Sequence, residues 1–200
     1  MESIMFRIMN MAELNRLEEE NELLEDSQEK AVRAELIEQV MERIMDYDCH
    51  IHDYAYKQTV QAIIDRGVLL EPVERADIIS MWDKQFDGLV SVAMKQAVEH
   101  YSSQFRWHLF SFELLPAMQG DDARQSFNSI NKSELFLFFE YADECYRVKN
   151  ANLLTAEDVE TLSKFSSMNN ADMYFYDPLK KWTYIKPHED YCGPYFFKVD

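Results

Sequence analysis

Three stretches of the chain hold residues whose types and spacing could do chemistry. Residues 46–56, DYDCHIHDYAY, gather two of the five histidines, one of the three cysteines and three aspartates. On a strand, residues i and i+2 share a face. His50 and His52 could then chelate one metal, as the H-x-H of an amidohydrolase does. Residues 184–196, YIKPHEDYCGPYF, place His188, Glu189, Asp190 and Cys192 in a Pro/Gly-punctuated loop, the kind of segment where acid–base or metal-ligating groups sit on a rigid scaffold. Residues 105–112, FRWHLFSF, add His108 beside Trp107. No nucleophile elbow and no Gly-rich phosphate loop accompanies them.

The period of each segment decides between these readings. Ile37, Val40, Met41, Ile44, Tyr47, Ile51, Ala55 and Ala62 recur at three- and four-residue steps, which predicts one long helix from about Gln28 to Arg66. In a helix, His50 and His52 diverge by about 200° and cannot share an ion. A barrel of the amidohydrolase kind also needs about 250 residues. The segment therefore reads as the middle of an amphipathic helix, with Tyr47, Ile51 and Ala55 inward. For the C-terminal stretch, the bland alternative is a tail that folds back at Gly193-Pro194 and docks Tyr195, Phe196 and Phe197 on the core. For His108, it is a satisfied core histidine in an aromatic strand. Two of these residues become a site only if His108 and His188 converge, with Glu189 beside them.

The remaining elements follow from the same rules. Met11, Leu14, Leu17 and Leu24 predict a first short helix, and Asp26-Ser27 a helix break or N-cap before the second. Gly67 stands where a left-handed C′ residue belongs. VLLEP reads as a linker, followed by a helix over 73–101 that buries Ile78, Ile79, Trp82, Phe86, Leu89, Val90, Ala93 and Ala97 and should pack antiparallel to the second. Gly88 is its weak point. Strands are predicted near 105–112, 134–141, 144–149, 171–177 and 181–186, with short helices near 122–128 and after Thr155. The fold class is α+β: long antiparallel N-terminal helices, then a small, largely antiparallel sheet covered by helices. Residues 1–70 form an acidic helical extension of two helices, and 71–200 the α+β domain.

The chain has 200 residues, 47% of them hydrophobic and 14% aromatic, enough to bury a core. Its formal net charge is −17, which opposes direct binding to nucleic acid or to an anionic membrane. Residues 1–66 carry sixteen acidic against seven basic side chains, a net charge of −9. Three widely spaced cysteines without a C-x-x-C argue against a disulfide framework and for a reducing cytoplasm. No signal peptide or spanning helix is read.

Several motifs together resemble a small bacterial domain-of-unknown-function family found mainly in Gram-positive bacteria and their phages. Its pattern has W-H-x-F-S, then A-x-x-x-F, an aromatic strand pair, a helix and a closing W-T-Y-x-x-T-H-E…G-P-Y-F. The matching positions are Trp107 to Ser111, Ala123 to Phe127, Trp182 to Tyr184, His188-Glu189 and Gly193 to Phe196, within roughly residues 82–197. Pro187 stands where the pattern has Thr. The resemblance implies a fold boundary and no assigned activity.

The expectation is a non-enzymatic, acidic interaction module, of inhibitor- or immunity-like kind. Its helical arm would use Glu18, Glu19, Glu20, Glu22, Glu25 and Asp26 toward a protein with a basic surface. The helix stripes also allow pairing between two copies. No cofactor or metal is expected. The alternatives are a small hydrolase or metal-binding enzyme using His108, His188 and Glu189, and a nucleic-acid mimic whose carboxylates stand in ordered rows.

Overall fold

A computed structural model describes residues 2–25, 27–132, 134–165, 172–189 and 191–199; for residues 2–8 and 165 only the backbone is described. Contacts divide the chain inside its longest helix, into Met1–Tyr54 and Ala55–Asp200.

In the first unit, α1 (Glu2–Glu22) and the first part of α2 (Gln28–Asp65) form an antiparallel hairpin. Leu14 and Leu17 of α1 pack on Ile37, Val40 and Ile44 of α2, the positions that the three- and four-residue period selects. Ser27 caps α2 by accepting the Lys30 N–H at 3.3 Å. Polar contacts fix the register. Arg16 binds Glu13 and Glu20, each at 2.7 Å, Arg33 binds Glu20, and Arg43 donates to the Asn10 side chain at 3.4 Å. Helix α1 is longer than the period of its apolar residues predicts. Residues 46–56 lie within α2, with His50 and His52 exposed. Ile51, expected inward, is 42% exposed, and Met41 and Ala62 are exposed as well. Ile51 and Ala62 keep the angular position of Ile44, but the buried seam with α1 is made by Ile37, Val40 and Ile44.

The second unit is built on a seven-stranded antiparallel sheet in the order β1-β4-β3-β5-β6-β7-β2. The strands are β1 (Leu69–Pro72), β2 (Met118–Gln119), β3 (Glu134–Phe139), β4 (Cys145–Lys149), β5 (Met173–Asp177), β6 (Trp182–Lys186) and β7 (Tyr195–Lys198). Its strands read as nearly continuous apolar runs because both faces are covered. Leu135, Leu137, Met173, Phe175, Trp182 and Tyr184 face the end of α2, α6 (Asp121–Ser129) and α7 (Ala156–Phe165). Phe138, Tyr174, Tyr176 and Ile185 face α3 (Arg75–Gln85) and α5 (His108–Ser111). Trp82 of α3 is fully buried there and donates its indole N–H to Thr183 at 3.1 Å.

Local chemistry sets the turns. Gly67 closes α2 at φ 103°, as predicted for a C′ glycine. The Asp177 carboxylate accepts the Leu179 and Lys180 N–H groups at 3.0 and 2.9 Å, an Asx turn that starts the β5–β6 hairpin. Thr155 and Asp158 exchange hydrogen bonds across the first turn of α7, a capping box.

Three predicted elements differ. The helix over 73–101 is broken: α3 ends at Gln85, a 3-10 turn spans Asp87–Leu89 around Gly88, and α4 (Val92–Ala97) restarts with Ser91 as its N-cap. Leu89, Ala93 and Ala97 are exposed, and α2 packs along α1 in place of this helix. VLLEP supplies edge strand β1, paired from Leu69↔Lys149 to Pro72↔Tyr146, and an edge tolerates proline because one side of the strand makes no ladder. The strand expected near 105–112 is the single-turn α5. Trp107, Phe110 and Leu114 are buried there at three- and four-residue steps, a spacing that a short aromatic run does not distinguish from alternation. Among the described residues no helix is long and apolar enough to cross a membrane.

Candidate functional site

Sheet register brings the chemistry-bearing residues together. Strands β3 and β5 pair Phe139 with Met173, and β5 and β6 pair Met173 with Lys186. Glu140, Asp172 and His188 therefore emerge at the same end of three neighbouring strands. The His188 backbone N–H and its ring Nδ1 both donate to Asp172 Oδ1, at 2.8 and 2.9 Å. The Asp172 side chain is 3% exposed and that of His188 38% exposed. A buried carboxylate thus fixes the ring orientation through Nδ1 in a side chain that is still partly exposed, an arrangement suited to moving a proton.

The turn before α5 packs against the same end. Its Phe105 ring lies 5.2 Å from the imidazoles of both His108 and His188, and Trp107 lies 4.3 and 6.3 Å from them. The two histidines expected as candidates therefore line one aromatic cluster. Their roles differ. His108 is buried and donates Nδ1–H to the Ser102 carbonyl at 2.6 Å, so it also fits the core-histidine reading.

Glu189 completes the convergence. Partial burial raises its pKa, but hydrogen bonds from Cys192 and Tyr191 and the charges of His188 and His108 outweigh that and hold the carboxyl below the usual range. Cys192 donates Sγ–H to Glu189 at 3.3 Å. Burial and then this bond push the Cys192 thiol up, so it stays protonated and is not an activated nucleophile. Asp190 lies outside the described residues.

Against the cluster runs a partly buried charged network. Arg106 grips Asp83 of α3 through Nε and Nη2, at 2.8 and 3.2 Å, and pairs with Glu140. Glu140 accepts the Tyr174 hydroxyl proton, and that hydroxyl accepts the Trp107 N–H at 3.3 Å. Burial, then Glu140 and Asp172, push the Tyr174 phenol far up, so it stays a neutral donor. The network holds residues 105–108 against the sheet. Sequence reasoning missed Asp172, Glu140, Arg106 and Phe105. Asp172 carried no sequence signal of its own: it is the observed register, Met173 opposite Lys186, that sets it against the His188 loop.

Among the described residues no group of three or more His, Cys, Asp or Glu side chains could hold a metal ion. His50 and His52 lie on α2 and form no part of the cluster. On the arm, Glu18, Glu19, Glu22 and Glu25 are exposed. Glu20 is half-buried and bound by Arg33 and Arg16, which hold its carboxyl below the usual range. Asp26 lies outside the described residues.

A family model described as a domain of unknown function, DUF4275, matches residues 75–196. No curated protein matches the chain, and no solved structure does.

Proposed function

Since the chain belongs to the DUF4275 family, a domain of unknown function, we propose from its geometry a non-enzymatic, acidic protein-binding module of inhibitor- or immunity-like kind. The observation that carries this is the unfinished apolar surface of the two-helix arm. On α2, Val32, Leu36, Met41 and Met45 are 52, 44, 45 and 51% exposed and flank the seam made by Ile37, Val40 and Ile44. One helix covers only part of so wide a stripe, and exposed apolar surface edged by charge is what binding sites present. Exposed Glu18, Glu19, Glu22 and Glu25 suit a partner whose apolar helix or groove is edged with Lys and Arg.

Crosslinking in native extract, with mass spectrometry, tests the reading on the full chain. A basic protein captured by the wild type should be lost in the Leu36→Glu/Met45→Glu variant. It should weaken in Glu18→Lys/Glu22→Lys and as salt rises. Equal capture by all variants, or a wild type that stays monomeric and captures nothing, removes the reading. Capture of a second copy alone turns the stripe into a dimer interface.

One observation favours a second reading: the convergence of Asp172, His188, Glu189 and His108. It supports a small hydrolase with His188 as general acid–base and Asp172 as the group that positions it. Turnover of an ester or phosphodiester from a generic panel, lost in a folded His188→Gln variant, would favour it. No turnover of any class would end it.

A further inference from the structure

We propose that the Ala55–Asp200 unit binds a small apolar molecule with a neutral hydroxyl head, in a cavity on the α7 side of its sheet. The cavity measures about 280 Å³. Leu137, Val148 and Phe175 form its floor on the sheet, and Val60 and Ile63 of α2 and Leu162 of α7 form its walls. Cavities of about 150 Å³ with such linings stay dry and take up benzene, so this one suits an apolar body about twice that size. A void leaves its lining without contact partners and costs stability as its volume grows. An apolar occupant restores those contacts.

The polar side chains in the lining are two tyrosines, Tyr56 and Tyr146, both half-buried. Burial, then Tyr146 and Glu144, push the Tyr56 phenol up to about 12. Burial and then Glu144 raise Tyr146. Both are neutral hydroxyls at physiological pH. They can hydrogen-bond an alcohol, whereas a free carboxylate or ammonium would lose its hydration against the apolar walls. The ligand class is therefore a medium-chain or two-ring apolar molecule ending in a hydroxyl group, and charged heads are disfavoured.

The test uses the full chain and N-phenyl-1-naphthylamine, a neutral fluorescent probe. The probe should bind saturably, one per chain. Val60→Trp, which fills the cavity from α2, should weaken binding about tenfold or more. Leu36→Glu, on the arm, should leave it unchanged. 1-Decanol should displace the probe at concentrations about tenfold below decanoate and decylamine, whose charged heads would be desolvated in the cavity. Should Val60→Trp fail to fold, nuclear Overhauser effects from bound decanol to the Leu137 and Val148 methyls decide the location. The proposal is overturned by an absence of saturable binding. Binding lost in Leu36→Glu but kept in Val60→Trp overturns it as well, as does decanoate competing as well as decanol. None of these outcomes bears on protein capture by the arm.

Discussion

Met1–Tyr54 and Ala55–Asp200 hide apolar surface to different degrees. The first has a single seam in which Leu17, Val40 and Ile44 are buried and Leu14 and Ile37 half-covered. The second fills both faces of a seven-stranded sheet, with Trp82, Trp182, Tyr174, Tyr176, Tyr184 and Phe127 among its fully buried side chains. Aromatic rings pack there in numbers, as in the near-parallel stack of Phe138 on Tyr174 at 4.8 Å. A sheet clothed on both sides buries most of its apolar side chains and leaves a cavity on its α7 side, while a two-helix hairpin leaves the edges of its stripe open. The difference marks the arm as the part with surface to offer a partner, and the domain as the part rigid enough to hold a polar cluster in fixed geometry.

The same substitution placed in each region measures that contrast. Leu135→Ala, on the sheet, should cost about 4 kcal/mol in denaturant unfolding, and Leu17→Ala, in the arm, about 2, as the thinner core collapses more readily. Equal costs would show that the arm is packed as tightly as the domain. Asp172→Ala removes the acceptor of two His188 donors and should cost about 2–3 kcal/mol, read by the same unfolding curves. A negligible cost would mean that the His188 loop is not held by this carboxylate.

Gly193 tests the loop from its other end. It has φ 70°, and an added Cβ would lie 2.8 Å from Pro187 Cδ and 3.1 Å from the Tyr195 ring. Gly193→Ala should therefore cost about 2 kcal/mol, from the left-handed backbone and the clash. It should also shift the His188 ring resonances in NMR spectra. On the arm, Leu36→Glu should change stability by less than about 0.5 kcal/mol, because its side chain already meets water. The smallest effect concerns Glu189. Its folded pKa is depressed, so its stabilising contribution is present above the unfolded value and fades as pH falls through the folded one. Cys192→Ala removes one donor and should move the Glu189 carboxyl midpoint, followed by carbon-13 NMR, back toward the usual range.

Much of the architecture can be read from local chemistry. The α2 period, the Ser27 and Thr155 caps, Gly67 and the Asp177-Pro178 turn each act over a few residues, so the chain carries them openly. The elements misread in sequence depend on distant partners. VLLEP becomes β1 because β4 offers it an edge. Residues 105–112 form a helical turn because Arg106 is held by Asp83 and Glu140, and the Trp107 N–H by Tyr174. For the site, His108, His188 and Glu189 could be named from residue type. Asp172 could not, because a lone aspartate before a strand means little until hairpin register sets it against His188.

By itself the sequence determined that one long helix runs from about Gln28 to a stop at Gly67, where local caps and turns stand, and that an acidic first third precedes an aromatic-rich remainder, because those properties follow from period, capping and charge. It also removed the metal reading of DYDCHIHDYAY, since a helix sends His50 and His52 to different sides. Only the tertiary structure decided that His108 and His188 share one aromatic cluster, that Asp172 is the carboxylate holding His188, and that Val32, Leu36, Met41 and Met45 remain uncovered. Each of these depends on strand pairing or helix packing between residues far apart in the chain, and such pairings are selected by the whole core at once.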